Sequence, residues 1–289
     1  MNKSTITKKR NMLAKLANAI NSSDYKEIPN IVNKASLTVI IDCLKSDALE
    51  HDANAIPILF DMALTIRHNI GRPFTMTECK EYYGLSFTLN HNAKMSGMIS
   101  ISTDNKLNPY CCAYKCNPEN ICHNCFADAQ LDRQPTQEIP YIYNTYLLTN
   151  YIIPVEILPV INNLFFRFES FGDLINSVQF TNYCNVCLVN PMVHFSDYTK
   201  NLFIIDNTFR SGVRKPKNLK IVASSIKKNV IRQLTEFQKT YVDHVFTVYT
   251  LEYLKTHKDI KINCGARHCL TCLNCYMENR DFYISEIEK

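Results

Sequence analysis

Residues 164–173 read LFFRFESFGD, an aromatic run that ends in acidic and small polar residues. The run at 164–169 has the composition of a β-strand, and the polar residues follow at its carboxyl end. The same arrangement recurs along the chain. Further strands are predicted at 98–102, 192–195, 219–223, 244–249 and 260–263.

Helical patterns separate these strands, near 154–163, 174–189, 226–240 and 251–257, while 201–218 is a loop or a broken helix. Strands that alternate with helices are typical of βαβ units and of a parallel sheet. The carboxyl ends of parallel strands hold the active sites of barrels and open sheets. We therefore expect the residues that follow the strands to share one rim: the cysteines after 98–102, the acidic motif at 169–173, Lys200, Ser224 and the cysteines after 260–263.

The amino-terminal part has a different pattern, so we predict a helical region at 1–88 and a cysteine-rich α/β region at 89–289. Apolar spacing indicates helices at 12–20, 37–44 and 56–66. Thr75 is expected to cap a further short helix and Gly84 to end it.

The composition is that of a soluble globular protein, with 46% hydrophobic and 20% charged residues. No window approaches the roughly 20 apolar residues of a membrane span, and the amino terminus lacks a signal-peptide core. We expect a cytoplasmic protein with no membrane partner. Thiols stay reduced in the cytoplasm, so clustered cysteines there more often bind metal than form disulfides.

Two islands hold nine of the thirteen cysteines, NPYCCAYKCNPENICHNCFA at 108–127 and CGARHCLTCLNC at 264–275. The pairs Cys122/Cys125 and Cys269/Cys272 have the C-x2-C spacing of structural zinc sites. The second island also has the tandem spacing of iron–sulfur sites and can supply four thiolates by itself, from Cys264, Cys269, Cys272 and Cys275.

The first island offers a set of three thiolates, Cys116, Cys122 and Cys125, with Cys111 and Cys112 as spare or fourth ligands. Three thiolates on a [4Fe–4S] cluster leave one iron open to a ligand. Should the fold bring the two islands together, they would make one site.

Three other features carry weaker expectations. Arg167 lies inside a predicted strand, and if it points inward it should pair with Glu169, Asp173 or a bound anion, because a buried charge without a partner is costly. Lys200, at a strand end, can neutralise a carboxylate or a phosphate. The pair Cys184/Cys187 lies among apolar residues of a predicted helix and should pack in the core.

A set of motifs resembles the phage-associated family called Gene product 88, over about residues 89–285. The motifs are LNHNAKM (89–95), the CxxCFA cysteines, FRFESFGDL (166–174), NP…F…YTKN (190–201), KPKNLKIVASS (215–225), DHVFTVY (243–249) and INCGARHCLTCLNCY (262–276).

The layout is also similar to that of a radical S-adenosylmethionine enzyme, which has a six-stranded partial parallel (β/α) barrel, a three-cysteine loop after the first strand and an acidic motif after the second. The resemblance implies that the three cysteines of the first island bind a [4Fe–4S] cluster whose open iron takes S-adenosylmethionine. His123 would lie beside the adenine, and Glu169 or Asp173 would receive the amino group. Ser224 is assigned to the same cofactor site, and Glu169, Asp173 and Lys200 are the candidate catalytic residues.

Two functions follow as hypotheses. The first is an iron–sulfur protein with one or two [4Fe–4S] clusters, resembling a radical S-adenosylmethionine enzyme, with an unknown phage-related or nucleotide-related substrate. The second is a zinc-binding module for nucleic-acid or protein interaction. The second requires the basic loop at 210–217 to share a face with Lys227, Lys228 and Arg232.

Overall fold

The computed structural model describes residues 55–89, 91, 93–265, 268–278 and 281–288. The helices predicted at 12–20 and 37–44 lie outside the described residues. The chain divides into two units, residues 1–86 with 153–160, and residues 87–152 with 161–289.

Within the described residues the strands, in chain order, are β1 (Phe74–Thr75), β2 (Ile99–Ile101), β3 (Pro159–Val160), β4 (Phe165–Phe168), β5 (His194–Thr199), β6 (Leu219–Ser224), β7 (His244–Tyr249) and β8 (Tyr283–Ile287). The α-helices are α1 (Ala55–Ile70), α2 (Met76–Tyr83), α3 (Pro109–Lys115), α4 (Phe126–Arg133), α5 (Pro135–Asn150), α6 (Ser177–Val189), α7 (Leu202–Arg210), α8 (Glu236–Lys239), α9 (Leu251–Thr256) and α10 (Cys269–Cys272). Short 3-10 turns lie at Ala93–Met95 and Val155–Ile157.

In the first unit, α1 and α2 are joined through β1, which pairs in parallel with β3. The Thr75 hydroxyl accepts a hydrogen bond from the Glu78 amide (3.2 Å), and the Glu78 carboxylate accepts one from the Thr75 amide (2.8 Å). This reciprocal pair is a capping box, which satisfies amide groups that the first helical turn leaves free. Gly84, with φ of +91°, ends α2. The sequence-based predictions for Thr75 and Gly84 are confirmed.

The second unit is built on a parallel sheet with the strand order β2-β4-β5-β6-β7-β8. Successive strands are neighbours, and each crossover carries helical or irregular chain, as expected for parallel pairing. The prediction of a parallel α/β region is confirmed. In the part of the chain described, β2 and β8 are the edge strands and the sheet is not closed into a barrel.

One face of the sheet carries a cluster of stacked aromatic rings. Phe168 stacks on Tyr183 of α6, with ring centroids 4.2 Å apart, and on Phe195 of β5, at 5.3 Å. Because side chains alternate along a strand, Arg167 and Ser196, which are paired in the β4–β5 register, point to the opposite face. The helices therefore cover an aromatic face, and the other face is left polar.

The predicted sixth strand is wrong. Residues 260–263 do not form a strand, and the last strand of the sheet is β8. Asn263 instead hydrogen-bonds to the backbone of that strand through the Ser285 amide (2.8 Å) and the Tyr283 carbonyl (2.9 Å). A short alternating run does not distinguish an extended segment beside a strand from the strand itself. The second cysteine island therefore precedes the last strand of the sheet. The sequence pattern predicts that it follows that strand, and this prediction is wrong.

Several other strands and helices have boundaries that differ from the predicted ones. The third predicted strand begins and ends later, at β5, so Asp197 and Thr199 lie within it. The helix predicted at 154–163 is only a 3-10 turn followed by β3, and that at 226–240 is reduced to α8. The helices predicted near 174–189 and 251–257 are confirmed as α6 and α9, and 201–218 contains α7. The helices α3, α4 and α5 were not predicted.

Candidate functional site

The polar face of the sheet borders a cavity of about 390 Å³ near the carboxyl ends of its strands. Cysteines of the first island reach this cavity, and so do residues that follow β4, β5 and β6. The lining includes Asn105, Cys111, Cys122, Cys125, Phe126, Arg167, Glu169, Lys200 and Ser224. Sequence features that lie far apart along the chain therefore meet at one concave surface of the size that small-molecule ligands occupy.

Asn108 fixes the start of the cysteine loop. Its side-chain oxygen accepts hydrogen bonds from the amides of Tyr110 (3.0 Å) and Cys111 (3.2 Å), which caps α3. Its side-chain nitrogen donates to the carbonyl oxygen of Asp173 at 2.9 Å. The helix that carries Cys111 is thereby tied to the loop after β4.

The far end of the cysteine loop is tied to the segment after β6. The Ile121 amide donates to the Ile226 carbonyl (2.9 Å), and the Lys228 amide donates to the Glu119 carbonyl (3.0 Å). Between these two anchors, Cys111 and Cys122 are buried, at 5% and 8% exposure.

The cysteines of the first island divide into two groups. Cys111, Cys122 and Cys125 border the cavity, whereas Cys112 and Cys116 are exposed and do not. The thiol of Cys116 lies 3.5 Å from the carbonyl oxygen of Cys112. Of the predicted trio, the structure therefore brings Cys122 and Cys125 to the cavity, while Cys116 lies outside it and Cys111 lies on its wall.

Among the described cations that favour the thiolate forms of Cys111 and Cys122, Lys200 has the largest effect. Burial raises the pKa of the Cys122 thiol, and the neighbouring Lys200 ammonium partly offsets this by favouring the thiolate. The Lys200 ammonium also lies 3.8 Å from the Asp173 carboxylate. Lys200 is thus placed to compensate negative charge on the cysteines.

Glu169 is buried at the start of the acidic motif, with its backbone at φ +53°. Its carboxylate accepts hydrogen bonds from Thr103, from the Gln179 amide nitrogen (2.6 Å) and from the Tyr183 hydroxyl. Burial raises the pKa of this carboxyl to about 7, against which these hydrogen bonds act. Gly172 packs tightly beside Glu169 and Thr103. A Cβ atom at Gly172 would lie only 2.7 Å from the Thr103 carbonyl oxygen.

The remaining predicted residues are placed differently. Asp173 is buried but does not border the cavity; its carboxylate accepts from the Thr199 hydroxyl (2.5 Å) and the Lys200 amide (3.1 Å), which joins the loop to the end of β5. His123 lies exposed, its Nδ1 2.9 Å from the Lys115 carbonyl oxygen, and is also outside the lining. Ser224 is buried and borders the cavity.

The second island surrounds another, smaller cavity of about 20 Å³, roughly the space of one water-sized particle. Its lining includes Lys94, Arg167, Cys264, Cys269, Cys272, Cys275 and Tyr276. The Lys94 ammonium lies 3.1 Å from the Cys264 sulfur, and the Tyr198 hydroxyl lies 2.7 Å from the Cys275 sulfur. The two islands thus border separate cavities and do not make one site.

The donor sets fit thiolate ligation in chemistry, but the side chains do not stand in ligating positions. Within the described residues, no group of three or more His, Cys, Asp or Glu side chains is arranged to hold a metal ion. The cysteines of this part of the chain are all free thiols. The four cysteines of the second island nevertheless line one cavity, and four thiolates are a donor set of zinc and iron–sulfur sites.

Arg167 does not pair as expected with Glu169 or Asp173. Its guanidinium carbon lies 3.9 Å from the centroid of the Tyr198 ring, and it borders both cavities. Sequence reasoning missed Lys94 and Tyr198 at this site. Lys94 lies in the LNHNAKM motif, which was the only signal for it.

Four of the basic residues that a nucleic-acid surface would need have polar partners in the described part of the chain. Lys215 lies 2.5 Å from the Asp243 carboxylate, Lys227 lies 2.6 Å from that of Glu119, and Lys228 pairs with Glu288. Arg232 donates to the carbonyl oxygens of Lys200 (2.6 Å) and Ser224 (3.0 Å). Within the described residues, Lys215, Lys227 and Lys228 are therefore paired with acidic side chains, and Arg232 is bonded to backbone carbonyl oxygens.

A family model described as Gene product 88 matches residues 85–281, more than half of the chain. The match includes both cysteine islands and the loops that line the two cavities. No curated protein and no solved structure matches the chain. None of the helices in the described ranges is long and apolar enough to cross a membrane.

Proposed function

The chain belongs to the Gene product 88 family, and from that premise we propose that it is a phage-related iron–sulfur protein that resembles a radical S-adenosylmethionine enzyme. One observation carries the proposal: cysteines of the first island border the same cavity as Glu169 and Lys200, near the carboxyl ends of parallel strands. Ligands of parallel α/β proteins bind at that end of the sheet.

In this proposal the six parallel strands form a partial barrel, open between β2 and β8, and the larger cavity is its mouth. Support comes from the sequential strand order and from the polar face that the sheet turns toward the cavity. The aromatic face packs against helices, as the outer surface of such a barrel does.

Cys122 and Cys125 hold a [4Fe–4S] cluster together with a third thiolate from Cys111 or Cys116. Position at the cavity favours Cys111, and sequence spacing favours Cys116. When bound, the cluster supplies an electron to a ligand on its open iron. Lys200 compensates the negative charge of the thiolates, which lowers the cost of bringing them together in a buried site.

Glu169 is the acidic residue that serves the ligand, because it borders the cavity and Asp173 does not. With a pKa raised to about 7 by burial, it can hold a proton or accept one near neutral pH. Ser224 contributes a hydroxyl to the same wall. S-adenosylmethionine is the ligand that we propose for this cavity.

Metal analysis of anaerobically prepared and reconstituted protein tests the cluster. We expect iron and sulfide in near-equal amounts and broad absorbance near ~400 nm, as thiolate-bound clusters give. Cys122→Ser and Cys125→Ser should each abolish the cluster of the first island. Cys112→Ser is the matched control, since this exposed cysteine of the same island does not border the cavity.

The third ligand is identified by Cys111→Ser and Cys116→Ser, of which one should behave like the control and the other like Cys122→Ser. Colourless protein with stoichiometric zinc and no iron after reconstitution would overturn the proposal. The S-adenosylmethionine part is tested separately, by equilibrium binding to the reconstituted protein and by reductive cleavage in the presence of dithionite. Cluster-loaded protein that neither binds nor cleaves S-adenosylmethionine would leave an iron–sulfur protein and remove the enzyme assignment.

A further inference from the structure

Arg167 borders both cavities. Its Nε atom is buried and has no hydrogen-bond partner among the described residues. No carboxylate in the described ranges lies within ion-pair distance of its guanidinium, which stacks on the ring of Tyr198. Stacking on an aromatic ring offsets only part of the cost of taking a cation out of water.

The nearest acidic side chain on the adjacent strand does not supply the missing charge. Asp197 is fully buried and, by alternation along β5, lies on the other face of the sheet from Arg167. Burial raises the pKa of the Asp197 carboxyl well above its ordinary value, which disfavours its charged form. Arg167 borders the same cavity as Cys269, Cys275 and Tyr276, and its guanidinium stacks on the ring of Tyr198.

The smaller cavity has a second cation on its wall. Lys94 contacts the Cys264 sulfur at 3.1 Å while pairing with the Glu286 carboxylate at 2.9 Å. Four thiols are therefore bordered by an ammonium group and a guanidinium group.

We propose that Arg167 is the counter-cation of a metal–thiolate centre formed by Cys264, Cys269, Cys272 and Cys275. Four thiolates outnumber the positive charges of a zinc ion or of an oxidised [4Fe–4S] core, so either complex is an anion. Such an anion would give the buried Arg167 guanidinium the ionic partner that it lacks among the described residues. The inference goes beyond the proposed function, which places a cluster at the first island and assigns no metal to the second.

The test uses the full chain carrying Cys122→Ser and Cys125→Ser, so that bound metal reports on the second island. Arg167→Met removes the charge and keeps an extended apolar side chain, and Arg167→Lys restores a charge. Arg210→Met is the matched control, because Arg210 also stacks on an aromatic ring, at 4.5 Å from the Phe237 centroid, and borders neither cavity. Each protein is loaded with zinc or reconstituted with iron and sulfide, and metal affinity is measured by chelator competition.

We expect Arg167→Met to weaken metal binding by roughly 10- to 100-fold, the range found for groups that support metal ligands from outside. Arg167→Lys should recover most of the loss, and Arg210→Met should leave affinity unchanged. If the centre is a cluster, Arg167→Met should also lower its reduction potential, because reduction adds negative charge that the guanidinium no longer stabilises. The metal that is retained, zinc or iron, identifies the core.

Thermal unfolding separates this role from a merely structural one. In metal-free protein Arg167→Met should raise the melting temperature, since an unpaired buried cation is replaced by an apolar group. In metal-loaded protein the same substitution should lower it. A substitution that lowers both melting temperatures, or that leaves metal affinity unchanged in a folded variant, overturns the inference.

The two proposals can fail independently. Iron that depends on Cys122 and Cys125, combined with a second island insensitive to Arg167, removes the inference and leaves the proposed function. Zinc at the second island with the expected Arg167 dependence, and no iron anywhere, removes the proposed function and leaves the inference.

Discussion

Gly172 packs against the carboxylate of Glu169, so closely that a side-chain carbon at this glycine would overlap with the glutamate and with Thr103. The two residues belong to the same short motif, yet the contact depends on the turn that Glu169 makes with its positive φ. The missing side chain at Gly172 therefore leaves space for the buried Glu169 carboxylate at the wall of the larger cavity.

Gly172→Ala should accordingly be destabilising. The methyl group must displace the Thr103 backbone or the Glu169 carboxylate, and forced overpacking of this kind costs about 1–3 kcal/mol. Denaturant unfolding measures the loss, and weaker binding of the cavity ligand should accompany it. A variant as stable as the wild type would show that the loop adjusts freely, contrary to the tight packing described.

Glu169→Gln should change how stability depends on pH. The pKa of Glu169 is raised from 4.5 to about 7. Between these values the folded protein keeps a proton that the unfolded chain releases, so this group favours folding at low pH and the benefit is lost as the pH rises through 7. Glutamine does not titrate. As the pH rises over this window, the free energy of unfolding of the wild type should therefore fall relative to that of the variant, by on the order of 3 kcal/mol.

The control for that experiment is Glu156→Gln, an exposed acid outside the cavity lining. A Glu169→Gln curve that runs parallel to the wild-type curve would mean that burial does not raise the pKa of the Glu169 carboxyl in the folded protein.

Asn108→Ala should loosen α3. The substitution removes the cap on Tyr110 and Cys111 and the bond to the Asp173 carbonyl oxygen, at a cost of about 1–3 kcal/mol. Hydrogen exchange across 109–115 should accelerate, and Cys111 should become open to alkylation. Asn108→Asp keeps the capping oxygen but loses the donor, so its α3 should exchange more slowly than that of the alanine variant; equal exchange in both would contradict the capping role.

Cys184 and Cys187 should contribute packing and no metal. Both are buried on α6, at 1% and 0% exposure, and border neither cavity, which confirms the expectation of a core position. Burial raises the pKa of the Cys184 thiol to about 12. Replacing each by alanine should leave the metal content unchanged and lower the free energy of unfolding by about 1 kcal/mol. Loss of iron or zinc in either folded variant would contradict this assignment.

Local signals accounted for the elements that one short pattern specifies. The capping pair at Thr75, the glycine that ends α2 and the apolar runs of β4, β6 and β7 are all legible because a cap or a strand depends on neighbouring residues. The last strand was misplaced because 260–263 and 283–287 both have short apolar patterns, and the choice between them is made by pairing with β7. No local pattern records a partner that lies far away in sequence.

The candidate site divides in the same way. By itself the sequence determined that thiols, acids and a lysine follow parallel strands, because residue type and strand direction suffice for that conclusion. Only the tertiary structure decided which of them reach the larger cavity. Asn108 anchors α3 to the loop after β4 and so brings Cys111 to the wall while Cys116 stays outside. It also decided that Arg167 stacks on the ring of Tyr198 and borders the cavity of the second island, because the direction and partners of a side chain depend on strands brought together by folding.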